Sequence, residues 1–418
     1  MFPTGSPCIL LEQLVITNSV NLQRLPDDIG KLLSCLRELT IHTCSQLDQL
    51  SNNITSLTAL ECLSIIDCQQ LCSLPKDFGE LPALKSLTLE SVSLSKLPDS
   101  FCHLTSLERL VMGYCFRNIL KLPAELGNLT SLKTLIVQTF RSVVLPETIG
   151  FLSNLKTLHL QVCTQQLISP SFTALTSLTS RTLVSGAFSK LPEALENMSH
   201  LQHLYICDCQ ALGKIPELVT RLTSLVTLSI RGCKELSSVP VRLSSLRKLQ
   251  QLEVTGCNEL RVFPESLPLS LEELENLPET VSQLQQLTLL RFHALKLASI
   301  PEGIGALSRL RELNLLECTA LQQLPSSLTQ LSCLSVLRLD NTSISTLPPQ
   351  FSQLTRLRTL SLSPCELLEA LPDDLNELKL LQHLDVRWCK KAIDCMPRAL
   401  RLGIRKMHGL TLVSSAAV

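Results

Sequence analysis

Pro216, Pro240 and Pro264 stand 24 residues apart, and each closes a stretch of the same design. The middle stretch, LVTLSIRGCKELSSVP, reads Leu225-x-x-Leu228-x-Ile230-x-x-Cys233-x-x-Leu236-x-x-Val239-Pro240. Before it come Leu201, Leu204, Ile206, Cys209, Leu212 and Ile215; after it come Leu249, Leu252, Val254, Cys257, Leu260 and Phe263. A unit this short cannot bury its own apolar side, so it must stack on its neighbours.

This spacing is the leucine-rich-repeat pattern, and it predicts an α/β solenoid. Each Leu-x-x-Leu-x-Ile segment alternates inward and outward and supplies one strand of a parallel sheet on the concave face of a horseshoe. The segments between each Leu-Pro and the next strand, such as DDIGKLLS, PAELGNLTS and PETIGFLSN, read as short helices or 3-10 turns on the convex face. Proline fits the turn because the chain has left the strand and no ladder N–H is lost.

A chain of 418 residues would ordinarily suggest two or three domains. Uniform repetition overrides that prior and predicts one solenoid over 1–418. Hydrophobic residues make up 45% of the chain but aromatics only 3%, so Leu, Ile and Val must build the core. Sixteen full units begin at Leu11, Leu36, Leu60, Leu84, Leu107, Leu132, Leu155, Leu178, Leu201, Leu225, Leu249, Leu287, Leu310, Leu334, Leu357 and Leu381. Sixteen strands at about 4.8 Å make an inner arc of roughly 70–80 Å. Solenoids need covered ends, and no cap motif precedes Leu11, so the first coil is expected to be poorly covered unless the chain is a piece of something longer. The tail 397–418 is basic and moderately apolar and is expected to cover the last coil.

Two units break the pattern. In the first, near 178–192, Arg181 falls where the strand should offer an inward Leu. A buried guanidinium is costly, so the side chain is expected to escape to solvent and distort the strand. In the second, near 265–280, Pro264 and Pro278 are only 14 residues apart, and the Cys position is lost. That segment concentrates Glu265, Glu272, Glu273, Glu275 and Glu279, as a solvated truncated coil or as a bend or acidic contact would.

Ten of the 18 cysteines (Cys44, Cys68, Cys115, Cys163, Cys209, Cys233, Cys257, Cys318, Cys365 and Cys389) share one repeat position just after the strand. Side chains there turn inward to meet backbone groups of the next coil. Parallel side chains about 4.8 Å apart do not meet the usual disulfide geometry, so the thiols are expected to be reduced and the compartment cytoplasmic. The sequons at Asn53, Asn128, Asn197 and Asn341 point weakly the other way, although repeat grammar alone supplies the first three.

Function classes narrow quickly. With 37 basic and 37 acidic side chains, the chain carries no net charge to favour nucleic acid or an acidic membrane. No continuous apolar run of about 18 residues suggests a membrane span. Gly303-Ile-Gly305 lacks the third glycine and lysine of a nucleotide loop. Cys207-Asp-Cys209 splits between outward and inward phases and makes no metal site. The reading is a non-enzyme without cofactor or metal.

The grammar L-x-x-L-x-I-x-x-C-x-x-L-x-x-L-P-x-x-I-G-x-L, as from Leu60 through Cys68, Leu71 and Leu74-Pro75 to Leu81, resembles the repeat region of plant intracellular disease-resistance proteins of the nucleotide-binding leucine-rich-repeat class. It lacks the Gly-x-Ile-Pro turn of extracellular plant receptor repeats. Ras-group scaffold repeats share its Leu-Pro-x-x-Ile-Gly turn but favour Asn where this chain has ten Cys. The resemblance implies a sensing and autoinhibitory region that recognises a pathogen effector or host signalling protein. The nucleotide-binding switch of that class is absent from these residues. The alternative is a stand-alone scaffold for a Ras-type GTPase or phosphatase.

By repeat phase, the last units place Arg291, His293, Asn314, Arg338, Asp340, Ser361, Asp385 and Arg387 outward on the concave face, with Trp388 beside them. The corresponding N-terminal positions, Thr40, Ser64, Thr88, Val111 and Ile136, are blander. Arg and Trp are over-represented in interface hot spots, which makes these the candidate partner-binding residues. The competing reading is that the charges only solubilise the sheet and that Trp388 packs under the tail.

Overall fold

The computed structural model describes residues 10–414 apart from 95, 116–119, 140–142, 162–170, 172–173, 185–188, 192–194, 196, 241–242, 258, 261–276, 278, 294–296, 406 and 408–409. Two compact units divide the chain, Met1–Ala187 and Phe188–Val418.

In the first unit, one strand per repeat runs parallel to the last. These are β1 (Gln13–Thr17), β2 (Glu38–His42), β3 (Cys62–Ile66), β4 (Ser86–Glu90), β5 (Arg109–Gly113), β7 (Thr134–Gln138), β9 (Thr157–Gln161) and β10 (Ser180–Val184). The small strands β6 (Leu120–Lys121) and β8 (Val143–Val144) pair with each other. The register is constant: Leu39 stands beside Leu63, Leu63 beside Leu87, and Leu87 beside Leu110. Such a match is forced, because a slip by one residue would turn every inward side chain outward.

The second unit repeats the design with β11 (His203–Cys207), β12 (Thr227–Arg231), β13 (Gln251–Thr255), β14 (Leu289–Phe292), β15 (Glu312–Asn314), β16 (Val336–Arg338), β17 (Thr359–Ser361) and β18 (His383–Asp385). β13 pairs directly with β14, Leu252 beside Leu290. Most of that segment, including Glu265, Glu272, Glu273 and Glu275, lies outside the described residues. After α2 (Lys390–Asp394) and α3 (Arg398–Arg405), β19 (Thr411–Val413) pairs with β18. Leu400 and Ile404 of α3 are buried.

The convex turns are nearly all five- or three-residue 3-10 segments; the four-residue α1 (Ile29–Leu32) takes that place in the first coil. The Ile-Gly of the turn follows from their close approach. A Cβ on Gly79 would lie 1.7 Å from the Ser100 carbonyl oxygen, and one on Gly305 would lie 2.5 Å from that of Ser327. Hydroxyls clip adjacent coils together: Ser100 Oγ donates to the Lys76 carbonyl at 2.6 Å and accepts from Gly79 N–H at 3.0 Å.

The cysteines form the other clip. Every described member of the column (Cys44, Cys68, Cys115, Cys209, Cys233, Cys257, Cys318, Cys365 and Cys389) is fully buried, while Cys163 lies outside the described residues. Several thiols donate to a carbonyl in or just after the strand of the preceding coil: Cys115 to Leu89 at 2.6 Å, Cys365 to Leu339 at 3.1 Å and Cys389 to Leu362 at 3.0 Å. Burial pushes the Cys115 thiol up to about 12. Immediately before the column the backbone turns through positive φ, at Thr43, Asp67, Tyr114, Asp208, Gly232, Gly256, Glu317 and Trp388. That turn ends the strand and aims the cysteine inward.

Arg181 corrects the expectation drawn from sequence. It does not escape to solvent, and its strand is not distorted. The side chain is fully buried, and β10 keeps register with β9, Arg181 beside Leu158. Burial draws its guanidinium down to about 9. The ladder decides this outcome: Thr179 and Ser180 N–H both donate to the Lys156 carbonyl at 2.9 Å, locking the phase that turns residue 181 inward. Among the described residues, no helix is long and apolar enough to cross a membrane.

Candidate interaction surface

Strand alternation leaves a column of side chains on the exposed face of the second unit, and the register sets their order. Tyr205, Ser229, Glu253, Arg291, Asn314, Arg338, Ser361 and Asp385 stand beside one another on successive strands. The sequence-predicted residues of this column are therefore brought together by strand pairing alone.

Their availability differs. Arg291 donates from Nε to Glu312 Oε1 at 2.8 Å, and its Nη1 lies 3.9 Å from Glu253 Oε1. The Glu312 bond raises the Arg291 pKa, so this charge is held within the sheet. Glu253 also accepts from Arg231 Nη2 at 2.6 Å and from Ser229 Oγ at 3.0 Å. Arg231, Glu253, Arg291 and Glu312 thus form an alternating chain of charge over four neighbouring strands. Sequence reading missed this chain; its signal was present as opposite charges at outward positions of consecutive units, Glu253 facing Arg291 and Arg231 and Glu312 diagonal to them.

Asn314 Oδ1 accepts from Leu316 N–H at 3.1 Å, ending its strand. His293 Nε2 lies 3.3 Å from Glu317 Oε2. Asp340 is buried and accepts from Ser363 N–H at 3.0 Å and from the Ser361 hydroxyl. Asp385 is buried too; burial pushes its carboxyl up, but bonds from the Arg387 guanidinium and N–H outweigh it and hold the carboxyl below its usual range. Asp340 and Asp385 therefore shape the surface from beneath.

Three of the predicted residues protrude. Arg338 is exposed and makes no ion pair among the described residues. Arg387 binds Asp385 at 2.7 Å through Nη2, yet half of its side chain faces solvent. Trp388, at φ 65°, is 64% exposed. No group of three or more His, Cys, Asp or Glu side chains fit to hold a metal occurs among the described residues.

Parallel strands in constant register, 3-10 turns behind them and an inward cysteine column define the fold as a leucine-rich-repeat solenoid, generally an interaction scaffold for protein partners rather than an enzyme. The family described as "Leucine-rich repeat region" matches residues 34–142. A leucine-rich-repeat protein of Leptospira interrogans is similar over 96% of this chain and 95% of its own, at 25% identity and a TM-score of 0.68. The crystal structure of a TDR receptor shares the fold over 94% of this chain and 70% of its own, at 22% identity and a TM-score of 0.58. A putative disease resistance protein of Arabidopsis thaliana is 31% identical over 98 residues, or 23% of this chain; the chain spans 8% of that relative's length.

Proposed function

We propose that the chain is the recognition part of a disease-resistance-like plant protein, which senses a pathogen effector or host signalling protein through the concave face of its C-terminal strands. The observation that carries the surface is the set Arg338, at the end of β16, with Arg387 and Trp388, just after β18, which are exposed while Asp340 and Asp385 are buried. Rigid or forked side chains on a firm base lose little entropy on binding, which suits a hot spot. The likeness to the Arabidopsis protein and the cysteine-bearing repeats support the immune reading. The buried, carbonyl-bonded thiols suit a reducing compartment, which supports a cytoplasmic reading.

The test is alanine substitution against a partner recovered by pull-down. Arg338→Ala, Arg387→Ala and Trp388→Ala should each weaken binding by more than about 1 kcal/mol. Arg291→Ala should cost less at the partner and more in stability, because its charge is already paired within the sheet. Equal changes at Thr40, Ser64 and Thr88 should leave affinity unchanged; the reverse ranking would move the site to the N-terminal unit.

A further inference from the structure

A short leader of four residues runs into each strand of the second unit. From β13 to β18 the leaders read RKLQ (247–250), QQLT (285–288), SRLR (308–311), SCLS (332–335), TRLR (355–358) and KLLQ (379–382). The third residue of each is a buried Leu. Backbone bonds stack them in order: Thr288 N–H donates to the Gln250 carbonyl, Arg311 N–H to Thr288, Ser335 N–H to Arg311 and Arg358 N–H to Ser335, each at 2.8 Å. Basic side chains are doubled on every second coil, as Arg247 with Lys248, Arg309 with Arg311, and Arg356 with Arg358, and all of these are exposed. The two coils between them offer only Gln, Thr, Ser and Cys beside their buried Leu, and none of the leaders holds an acid.

The first unit uses the same position differently. Its leaders end in Arg37, Glu61, Lys85, Glu108 and Lys133, alternating in sign. Glu61 binds Arg37 at 2.8 Å and Lys85 at 2.7 Å, and Glu108 binds Lys133 at 2.7 Å, so that row neutralises itself. In the second unit Arg311 and Arg358 make no ion pair among the described residues. Arg309 Nη1 donates to Gln286 Oε1 at 2.5 Å, and Arg356 Nη1 lies 3.9 Å from Cys333 Sγ; these neutral partners leave both charges uncompensated. Glu312 follows Arg311 but is committed to Arg291. Repulsion along such a row is relieved when an anionic partner covers it.

Alternate coils stand about 10 Å apart at the usual strand spacing. A polyproline-II chain advances about 9 Å per turn of three residues, so an acid at every third position meets one doubled coil after another. We propose that this flank binds an acidic, polyproline-II segment of a partner protein, with one carboxylate set against the doubled charges of each basic coil. Guanidinium forks suit carboxylates better than point charges do, and all the doubled positions but Arg247 with Lys248 are pairs of arginines. A single-stranded nucleic acid fits less well, because no aromatic side chain in the leaders gives a base a stacking platform. The flank shares no residue with the surface around Arg338, Arg387 and Trp388, so each stands or falls apart from the other.

The experiment is fluorescence anisotropy of a labelled Glu-Pro-Pro repeat peptide titrated with the full chain. Wild type should bind it in the micromolar range at about 50 mM salt and about tenfold more weakly at about 200 mM. A peptide of the same composition with its glutamates in adjacent pairs should bind about tenfold more weakly than the regular repeat, because its acids miss the period of the coils. Arg311→Gln combined with Arg358→Gln should weaken binding by about tenfold or more with unchanged circular dichroism, while Lys133→Gln in the first unit should leave it unchanged. A wild type that does not bind the repeat overturns the proposal, as do equal affinities for the two spacings or a double variant that binds like wild type. Loss of binding in Lys133→Gln would place the peptide on the first unit, and displacement of the peptide by an oligothymidylate of equal charge would make the flank a nucleic-acid surface; either result overturns it.

Discussion

At the scale of the residue, Arg181 places a guanidinium among the apolar side chains of the core. A guanidinium at a position that other coils fill with Leu158 or Leu204 gives up hydration on burial, and its Nε and Nη2 make no hydrogen bond among the described residues in exchange. Arg181→Leu is expected to stabilise the fold by about 1–3 kcal/mol in urea unfolding at neutral pH. The pH dependence has a definite sign. The folded-state pKa is lowered to about 9, so above that pH the folded chain has released a proton that the unfolded chain still binds. Wild-type stability from this group therefore rises with pH above about 9, and below it the penalty is constant. The gain from Arg181→Leu should be full at pH 7 and shrink at pH 10; a gap that widens with pH would refute this account. Other titrating groups are common to both proteins and cancel in the difference.

At the scale of the element, one repeat position has different worth in different strands. Leu228 in β12 is buried between coils on both sides, and removing its methyl groups leaves a cavity. Leu228→Ala should cost about 2–5 kcal/mol. Leu14 occupies the same position in β1 but is only half-buried, so Leu14→Ala should cost about 1 kcal/mol or less. Equal losses in thermal or urea unfolding would mean that β1 is covered as fully as the inner strands. The strands themselves were legible in the sequence, since Leu-x-x-Leu-x-Ile fixes both period and phase. The positive-φ turn before most of the cysteines was not legible: Thr43, Asp67, Tyr114, Glu317 and Trp388 share no chemistry that announces it. Backbone demand at that point is met by the surrounding ladder.

At the scale of the whole molecule, stability in a repeat array is close to a sum over neighbouring interfaces. Damage should therefore stay near the coil that suffers it. Trp388 is the only tryptophan and lies in the second unit, so its fluorescence reports that unit while far-UV circular dichroism reports both. Leu228→Ala should move the Trp388 transition to lower urea and make the dichroism curve precede its wild-type course only in part. Leu110→Ala, in the first unit, should shift the dichroism and leave the Trp388 midpoint nearly unchanged. Coincident shifts of both probes for both variants would show a single cooperative block instead.

The sequence by itself determined the period, the strand phase, the inward cysteines and the candidate column from Arg291 to Asp385, because each follows from side-chain repetition along the chain. It could not determine which outward charges are free. Arg338 is exposed and unpaired among the described residues while Arg291 is bound to Glu312, and Asp340 and Asp385 are buried although their phase points them outward. Those differences arise from contacts between residues about one repeat apart, such as Glu253 with Arg231, whose distances are fixed only when coils stack. Arg181 shows the same division: chemistry argued for an outward turn, but the hydrogen-bonded ladder set the phase of the whole strand and carried the arginine inward with it.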